Sequence, residues 1–123
     1  MLATTMAENL LEQAAYKQID EIYTLNLPEE AQENVDTTVV LIQDVNSQPD
    51  LGGNETFYAY DTQIELQIFY KKDLDYDPES LEIPLLQLFK QNYWQINQVK
   101  SHVVDPDSFQ LTATFYLSYS KLI

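Results

Sequence analysis

The chain has 123 residues, of which 20 are acidic and six are basic, giving a formal net charge of −14. A chain of this length buries a hydrophobic core without help from disulfides or metals, so we predict one domain over residues 1–123. The absence of cysteine excludes disulfides, thiolate catalysis and cysteine-ligated zinc or iron–sulfur sites. All six basic residues are lysines, so the chain has no arginine guanidinium that could form bidentate hydrogen bonds to phosphate. We therefore expect no specific binding to nucleic acid or to anionic membranes.

The acidic residues are unevenly distributed along the chain. Residues 1–55 hold four Asp, seven Glu and one Lys, a net charge of −10, whereas residues 56–123 have a net charge of −4. A solvated acidic surface is the simple interpretation, and a specific electrostatic task is the sharper one. The first 15 residues lack the basic segment of a signal peptide, and no apolar run has the ~18 residues of a membrane span. We expect a soluble protein made inside the cell.

The first third of the chain predicts a helix, a strand and a loop. Thr4 or Thr5 is placed as a helix cap, and the apolar spacing that follows predicts a helix to about Tyr16. Residues 22–27 predict a short strand that Pro28 ends. Residues 28–33 fit either one helical turn or an acidic loop, and we assign them to a loop.

The middle of the chain predicts two strands separated by an exposed loop. Residues 37–45 contain a β-branched run typical of a central strand that is covered on both faces. Residues 57–70 alternate between apolar and polar side chains and predict a long strand with one polar face. Residues 46–56 contain the only two glycines and predict a mobile arm. Its candidate contact residues are Pro49, Asp50, Leu51, Gly52, Gly53 and Asn54.

The last third predicts a helix and a hairpin. Residues 78–92 have helical apolar spacing, but Pro84 lies inside them, so the helix either kinks there or begins anew near Ile83. Residues 94–104 and 110–119 predict two strands joined by the turn at residues 105–108. The expected fold is α+β: a mostly antiparallel sheet of four to five strands with two helices packed on one face.

The stretch KKDLDYDPES resembles the start of a calcium-binding loop, with Asp73, Asp75 and Asp77 at alternate positions. Such a loop needs glycine at its sixth position and glutamate at its twelfth, where this chain has Pro78 and Pro84. We therefore predict no metal site. Asp77 is instead predicted to cap the following helix, with Pro78 at its first position. Asp73 and Asp75 are left as candidate subunit contacts.

No residue pattern indicates catalysis or a cofactor. The only histidine, His102, has no partner nearby in the sequence and is interpreted as an ordinary strand residue. No G-x-S-x-G motif holds a nucleophile, and 20 acidic residues place carboxylates in pairs by chance. We predict that the protein is not an enzyme. Tyrosines on strands serve packing more often than binding, and among them Tyr116 is kept as a candidate interface residue.

Four blocks of sequence carry a family resemblance that covers nearly the whole chain. They are MLATTMAENLLEQA, IDEIYTLNLPEEA, IELQIFYKKDLDYDPESLEIPLLQLFKQNYWQI and DPDSFQLTATFYLSYSKLI. Together they resemble a family of small tail proteins of long-tailed bacteriophages of Gram-positive bacteria, long described as a domain of unknown function. The predicted order of helices and strands is also similar to that of phage tail-terminator proteins.

The resemblance implies a structural role in the virion. Tail terminators form a ring, commonly a hexamer, that caps the tail tube at its head-proximal end and joins it to the head connector or stopper protein. The implied partners are thus further copies of the chain, the tail tube protein and the head connector, assembled in the host cytoplasm. Three alternatives stay open: another minor tail component, an acidic module that captures a basic partner or mimics nucleic acid, and a small enzyme or calcium-dependent domain.

Overall fold

The computed structural model describes residues 1–123 as three helices and six strands in a single sheet. The elements are α1 (Ala3–Ala14), β1 (Glu21–Thr24), α2 (Glu29–Glu33), β2 (Val39–Gly52), β3 (Phe57–Phe69), α3 (Glu79–Gln91), β4 (Gln95–Val99), β5 (Val103–Val104) and β6 (Leu111–Leu122). The strand order is β1-β2-β3-β6-β4, with β5 also beside β6. Only β1 and β2 run parallel, so the predicted α+β fold with a mostly antiparallel sheet is confirmed. None of the helices has the length and apolar character needed to cross a membrane.

The hydrophobic core lies between one face of the sheet and the helices α1 and α3. Alternation along β3 and β6 turns every second side chain toward this face, as predicted. The buried residues are Ile64, Leu66 and Ile68 from β3, Ala113, Phe115 and Leu117 from β6, Ala7 and Leu11 from α1, and Leu81, Leu85 and Phe89 from α3. The two predicted helices therefore share one face of the sheet.

The opposite face of the sheet is covered only at one end. There α2 places Ala31 on the same cavity as Val39 and Phe69, which are cross-strand partners in β2 and β3. Because helices lie on both sides at this end, all of Val39–Ile42 is buried, as predicted for a strand covered on both faces. The assignment of residues 28–33 to a loop is wrong, since they form the single helical turn α2.

The first helix and strand depart from the prediction at their ends. Neither Thr4 nor Thr5 caps α1, because the position before the helix is Leu2 and both threonines lie inside the helix. Thr4 is buried, and its hydroxyl has no hydrogen-bond partner. The helix ends at Ala14 rather than near Tyr16, because Ala15 takes a left-handed conformation with φ 51°. In the same way, β1 ends at Thr24 because Leu25 has φ 68°.

The strand predicted over residues 94–104 is interrupted. It forms β4 and the two-residue β5, with a register shift between Ile96 and Gln98 and no strand over residues 100–102. The hairpin with β6 is confirmed, and its turn is held by Asp105, whose carboxylate accepts hydrogen bonds from the amides of Asp107 at 2.8 Å and Ser108 at 3.4 Å. These bonds, the Asp107 amide above all, hold the pKa of Asp105 below its usual value.

The start of α3 agrees with the prediction for Asp77 and Pro78. The Asp77 carboxylate accepts a hydrogen bond from the amide of Glu79 at 3.0 Å, and Pro78 already has helical angles, φ −52° and ψ −36°. Asp77 therefore caps the helix and Pro78 is its first residue. The helix is one element that contains Pro84, so it does not begin anew at Ile83.

Replacing Pro84 by alanine is expected to raise the free energy of unfolding by about 2 kcal/mol. Alanine gives α3 an amide hydrogen that reaches the carbonyl of Ser80, and a proline inside a helix costs ~3 kcal/mol. Greater freedom of the unfolded chain offsets up to about 1 kcal/mol of this gain. Urea unfolding monitored by circular dichroism measures the change.

Pro106→Ala provides the matched control, since Pro106 lies in the turn before β6, where proline is favourable. That variant is expected to lose about 0.5 kcal/mol. A Pro84→Ala protein that is no more stable than wild type would show that α3 depends on the proline for its packing.

Candidate interaction surface

Residues 43–62 form a hairpin arm at one end of the sheet. Because β1 pairs only with Val39–Ile42, the remaining ten residues of β2 lie at a free edge and pair on one side only, with β3. The prediction of a loop over residues 46–56 is wrong for residues 46–52, since these belong to β2, which forms an antiparallel hairpin with β3. The turn of this hairpin is closed by a hydrogen bond of 2.8 Å from the Gly53 amide to the Thr56 carbonyl. The exposure of the arm is as predicted.

The six candidate contact residues 49–54 all lie together at the tip of the arm. Each of them is exposed, and Leu51 is the most prominent apolar one, with 57% of its surface accessible. The carboxylate of Asp50 accepts a hydrogen bond from the Leu51 amide at 2.8 Å. Gly53 packs so tightly on the ring of Tyr58 that a Cβ there would lie 2.8 Å from the ring. The tip is therefore a defined turn rather than an open loop.

A polar groove of about 400 Å³ crosses the sheet on the face opposite α1 and α3. Four strands contribute its polar side chains: Asn46, Gln48 and Asp50 from β2, Asp61 and Gln63 from β3, Ser118 and Ser120 from β6, and Gln95 and Asn97 from β4. The only charged groups that line it are Asp50 and Asp61, and the hydroxyl of Ser120 donates a hydrogen bond of 2.5 Å to Asp61. The groove thus offers hydrogen-bonding groups and negative charge, with no lysine.

The acidic candidates Asp73 and Asp75 lie far from this arm. They follow the carboxyl end of β3, whereas the tip precedes its amino end, and a strand of 13 residues spans ~40 Å. Asp75 forms an ion pair of 3.3 Å with Lys71, four residues earlier, and its side chain is 77% exposed. These aspartates do not converge with other ligands into a group that could hold a metal ion. The structure does not bring them together with residues 49–54.

Tyr116 lies on the polar face of β6, beyond the groove. Its hydroxyl donates a hydrogen bond of 2.7 Å to the carboxylate of Glu65 on β3, and Lys100 Nζ lies 5.5 Å from the centre of its ring. The hydrogen bond to Glu65 raises the pKa of Tyr116 above its ordinary value. Tyr116 therefore links three neighbouring segments of the same chain.

A buried network that the sequence did not predict joins α3 to the sheet. The carboxylate of Glu82 is 4% exposed, accepts a hydrogen bond of 2.5 Å from the hydroxyl of Tyr70, and lies 2.8 Å from Nε2 of His102. The interpretation of His102 as an ordinary strand residue is wrong, since it lies between β4 and β5 and pairs with Glu82. One signal was available: Glu82, Leu85 and Phe89 share the apolar stripe of α3, so the glutamate had to be buried.

Tyr70 makes the stability of the fold sensitive to alkaline pH. Burial and the hydrogen bond to Glu82 raise the pKa of Tyr70 above its ordinary value of 10.0. Above about pH 10 the unfolded chain releases this proton while the folded chain keeps it, so the free energy of unfolding falls as the pH rises. We expect Tyr70→Phe to flatten this loss, measured as the melting temperature between about pH 9 and 11.

Tyr93→Phe is the control for this experiment, because Tyr93 is 85% exposed. That variant is expected to follow the wild-type pH profile. Equal slopes for wild type and Tyr70→Phe would contradict the assignment of the alkaline loss to Tyr70.

Residues 2–122 match the family described as "Protein of unknown function (DUF806)". The chain belongs to this DUF806 family. The match runs from the start of α1 to the end of β6, so the whole DUF806 fold described above is included. No curated protein matches the chain. Because the family description names no activity, a role for this DUF806 protein has to be argued from its surface.

Proposed function

We propose that this protein is a structural component of phage tail assembly, specifically a tail terminator that caps the tail tube as an oligomeric ring and joins it to the head connector. The sequence blocks that resemble phage tail proteins motivate this role. The observation that carries it is the polar groove on one face of the sheet, whose lining combines many hydrogen-bonding groups with Asp50 and Asp61 and includes no basic residue. The protein acts in the virion, at the head-proximal end of the tail.

A ring around the path of DNA must let phosphates pass without holding them. Lysine and arginine contacts to phosphate dominate nonspecific affinity for DNA, so a lumen that lacks them stays free of bound DNA. Asp50 and Asp61 add repulsion, which is strong within a Debye length of about 8 Å at physiological salt. A groove lined by amides, hydroxyls and these two carboxylates suits the inner wall of such a ring.

The tip of the hairpin arm is the proposed contact with the tail tube. It extends beyond the part of the sheet that β1 and α2 cover, and it presents Leu51 between polar neighbours. An exposed apolar side chain at the end of a firm hairpin offers an anchor for a neighbouring protein. The opposite end of the sheet, with the Lys71 and Asp75 ion pair, is then available to the head connector.

Electron microscopy of phage particles that lack this protein tests the proposal. We expect overlong tails, or finished heads and tails that remain unjoined, and we expect the wild-type protein supplied in trans to restore normal particles. Tails of normal length joined to heads would overturn the proposed role. Tails that are short or absent would overturn it as well and would indicate another minor tail component.

A second candidate function is an acidic module that captures a basic partner. Residues 18–70 hold five Asp and six Glu and no lysine, so β1, α2, β2 and β3 form a continuous region without any positive charge. Such a region attracts basic proteins at long range. Titration of an oligolysine peptide by calorimetry at low and physiological salt tests this function. Tight binding that persists at physiological salt supports it, and binding that disappears there excludes it.

A further inference from the structure

The sheet has two unpaired edges on opposite sides of the molecule. One consists of β1, the outermost strand on that side, followed by residues 43–52 of β2, which no strand covers beyond the end of β1. The other is β4, which pairs with β6 on one side and with no strand on the other. Unpaired edges are the places where a sheet accepts another chain, so their charges and apolar groups decide which partner fits.

The two edges carry opposite charge. The β2 edge presents Asp44 and Asp50 within the lysine-free region 18–70, and we call it the acidic edge. The β4 edge lies in residues 83–104, which contain no acidic residue. Exposed Lys100 directly follows β4 and exposed Lys90 lies in the last turn of α3, the helix before β4, and we call this edge the lysine edge. In a chain with a net charge of −14, residues 83–104 thus form a stretch that contains lysine but no acidic residue.

Both edges also expose apolar side chains that a partner would cover. Val45 is exposed on the acidic edge, and Tyr93 and Val99 are exposed on or beside the lysine edge. Scattered exposed apolar residues are ordinary, but here they lie along the two unpaired edges together with the complementary charges. The edges therefore match in chemistry as well as in position.

We propose that the acidic edge of one copy of this chain docks on the lysine edge of a second copy. Two acidic edges repel each other, as do two lysine edges, so the charges favour head-to-tail contacts over symmetric ones. The register shift after Asp44 and the ring of Pro49 also prevent the acidic edge from forming a long regular ladder, so side-chain contacts dominate the interface. Repeated head-to-tail docking generates a ring when the rotation closes.

This interface specifies how the subunits of the proposed terminator ring contact one another, and it rests on the proposed function only for its biological role. Its test is made on purified protein. The variant Asp44→Lys/Asp50→Lys reverses the acidic edge, Lys90→Glu/Lys100→Glu reverses the lysine edge, and a third chain carries all four changes. Sedimentation velocity and native mass spectrometry measure the mass of each protein, and circular dichroism checks that each one folds.

We expect wild type to form oligomers and each two-site variant to be monomeric. Mixing the two variants in equal amounts should restore oligomers, because each reversed edge then meets an opposite charge, and the four-site chain should assemble alone. The controls are Glu8→Lys/Glu12→Lys on α1 and Lys17→Glu/Lys72→Glu, which change the net charge equally but lie on neither edge strand. Both controls should retain wild-type oligomers.

Three results would overturn the interface: wild type that stays monomeric at its highest soluble concentration, two-site variants that assemble like wild type, or a mixture that stays monomeric. Failure of the proposed function can be distinguished from failure of the interface. If only the function fails, particles without the protein have normal tails, while the two purified variants still form oligomers when they are mixed.

Discussion

Replacing Phe115 by alanine is expected to lower the free energy of unfolding by about 4 kcal/mol. Phe115 lies in the middle of β6 with 1% of its surface exposed, and it is the cross-strand partner of Leu66 on β3 and of Val99 on β4. Because strands occupy both sides and the helices cover the face above, the surroundings cannot collapse to fill the space that the ring leaves. Urea unfolding followed by circular dichroism measures the loss.

Thr114→Ala is the matched control, since Thr114 precedes Phe115 on the same strand, points to the opposite face and is partly exposed. Its carbonyl accepts the amide hydrogen of Lys100, a backbone contact that alanine retains. We expect a loss of about 0.5 kcal/mol from this substitution. Similar losses at positions 114 and 115 would contradict the assignment of the two faces of β6.

The long strands were predictable because their signal is local and repeated. Residues 57–70 and 110–119 alternate between apolar and polar side chains, and the structure turns those apolar side chains toward α1 and α3. The cap at Asp77 and the turn at Asp105 were predictable for the same reason, because each uses a side chain that bonds an amide two residues later. The order in which these strands pair in one sheet could not be predicted from such local patterns and is seen only in the structure.

The hairpin arm was not predictable as a strand because its own residues carry no strand signal. Residues 46–52, NSQPDLG, contain no β-branched or aromatic side chain, and Gly52 and Pro49 are typical of turns. They extend because residues 57–63 of β3 pair with them in register. The sequence correctly indicated that the tip is exposed, whereas the extended conformation of residues 46–52 depends on pairing with β3.

The cap predicted at Thr4 failed for a physical reason that sequence does not reveal. A threonine near a helix start serves as a cap only when it precedes the first turn, but here the helix begins at Ala3, so Thr4 and Thr5 both lie inside the first turn. Thr4 is consequently buried, and its hydroxyl has no hydrogen-bond partner. Tertiary burial of α1 against the sheet decided the position of its first turn.

The polar groove and the two edges depend on strand order, which a single sequence specifies poorly. The groove combines residues from β2, β3, β6 and β4, which lie adjacent in the sheet but are up to 74 positions apart between Asn46 and Ser120. The lysine edge exists because β4 lies outside β6 rather than between β3 and β6. Charge content along the chain was visible in the sequence, but its segregation to opposite sides was not.

Replacing Glu82 by alanine is expected to lower the free energy of unfolding by about 3 kcal/mol. The Glu82 carboxylate is buried between α3 and the sheet and contacts both Tyr70 and His102. Its removal leaves a cavity and deprives these two polar side chains of their main hydrogen-bond partner. Tyr70 retains only a long contact of 3.4 Å with the carbonyl of Pro78. A buried group that loses its hydrogen-bond partner costs about 1–3 kcal/mol, and the cavity adds to that cost.

Glu79→Ala in the same helix is the control, because Glu79 is exposed in the first turn and its loss is expected to cost about 0.5 kcal/mol. The sharper measurement is a double-mutant cycle of Glu82→Ala with His102→Ala. Once Glu82 is absent, His102 has no carboxylate to bind, so its replacement should cost much less than it does in wild type. A coupling of about 1 kcal/mol supports the contact between His102 and Glu82, whereas additive losses would show that this contact contributes nothing to stability.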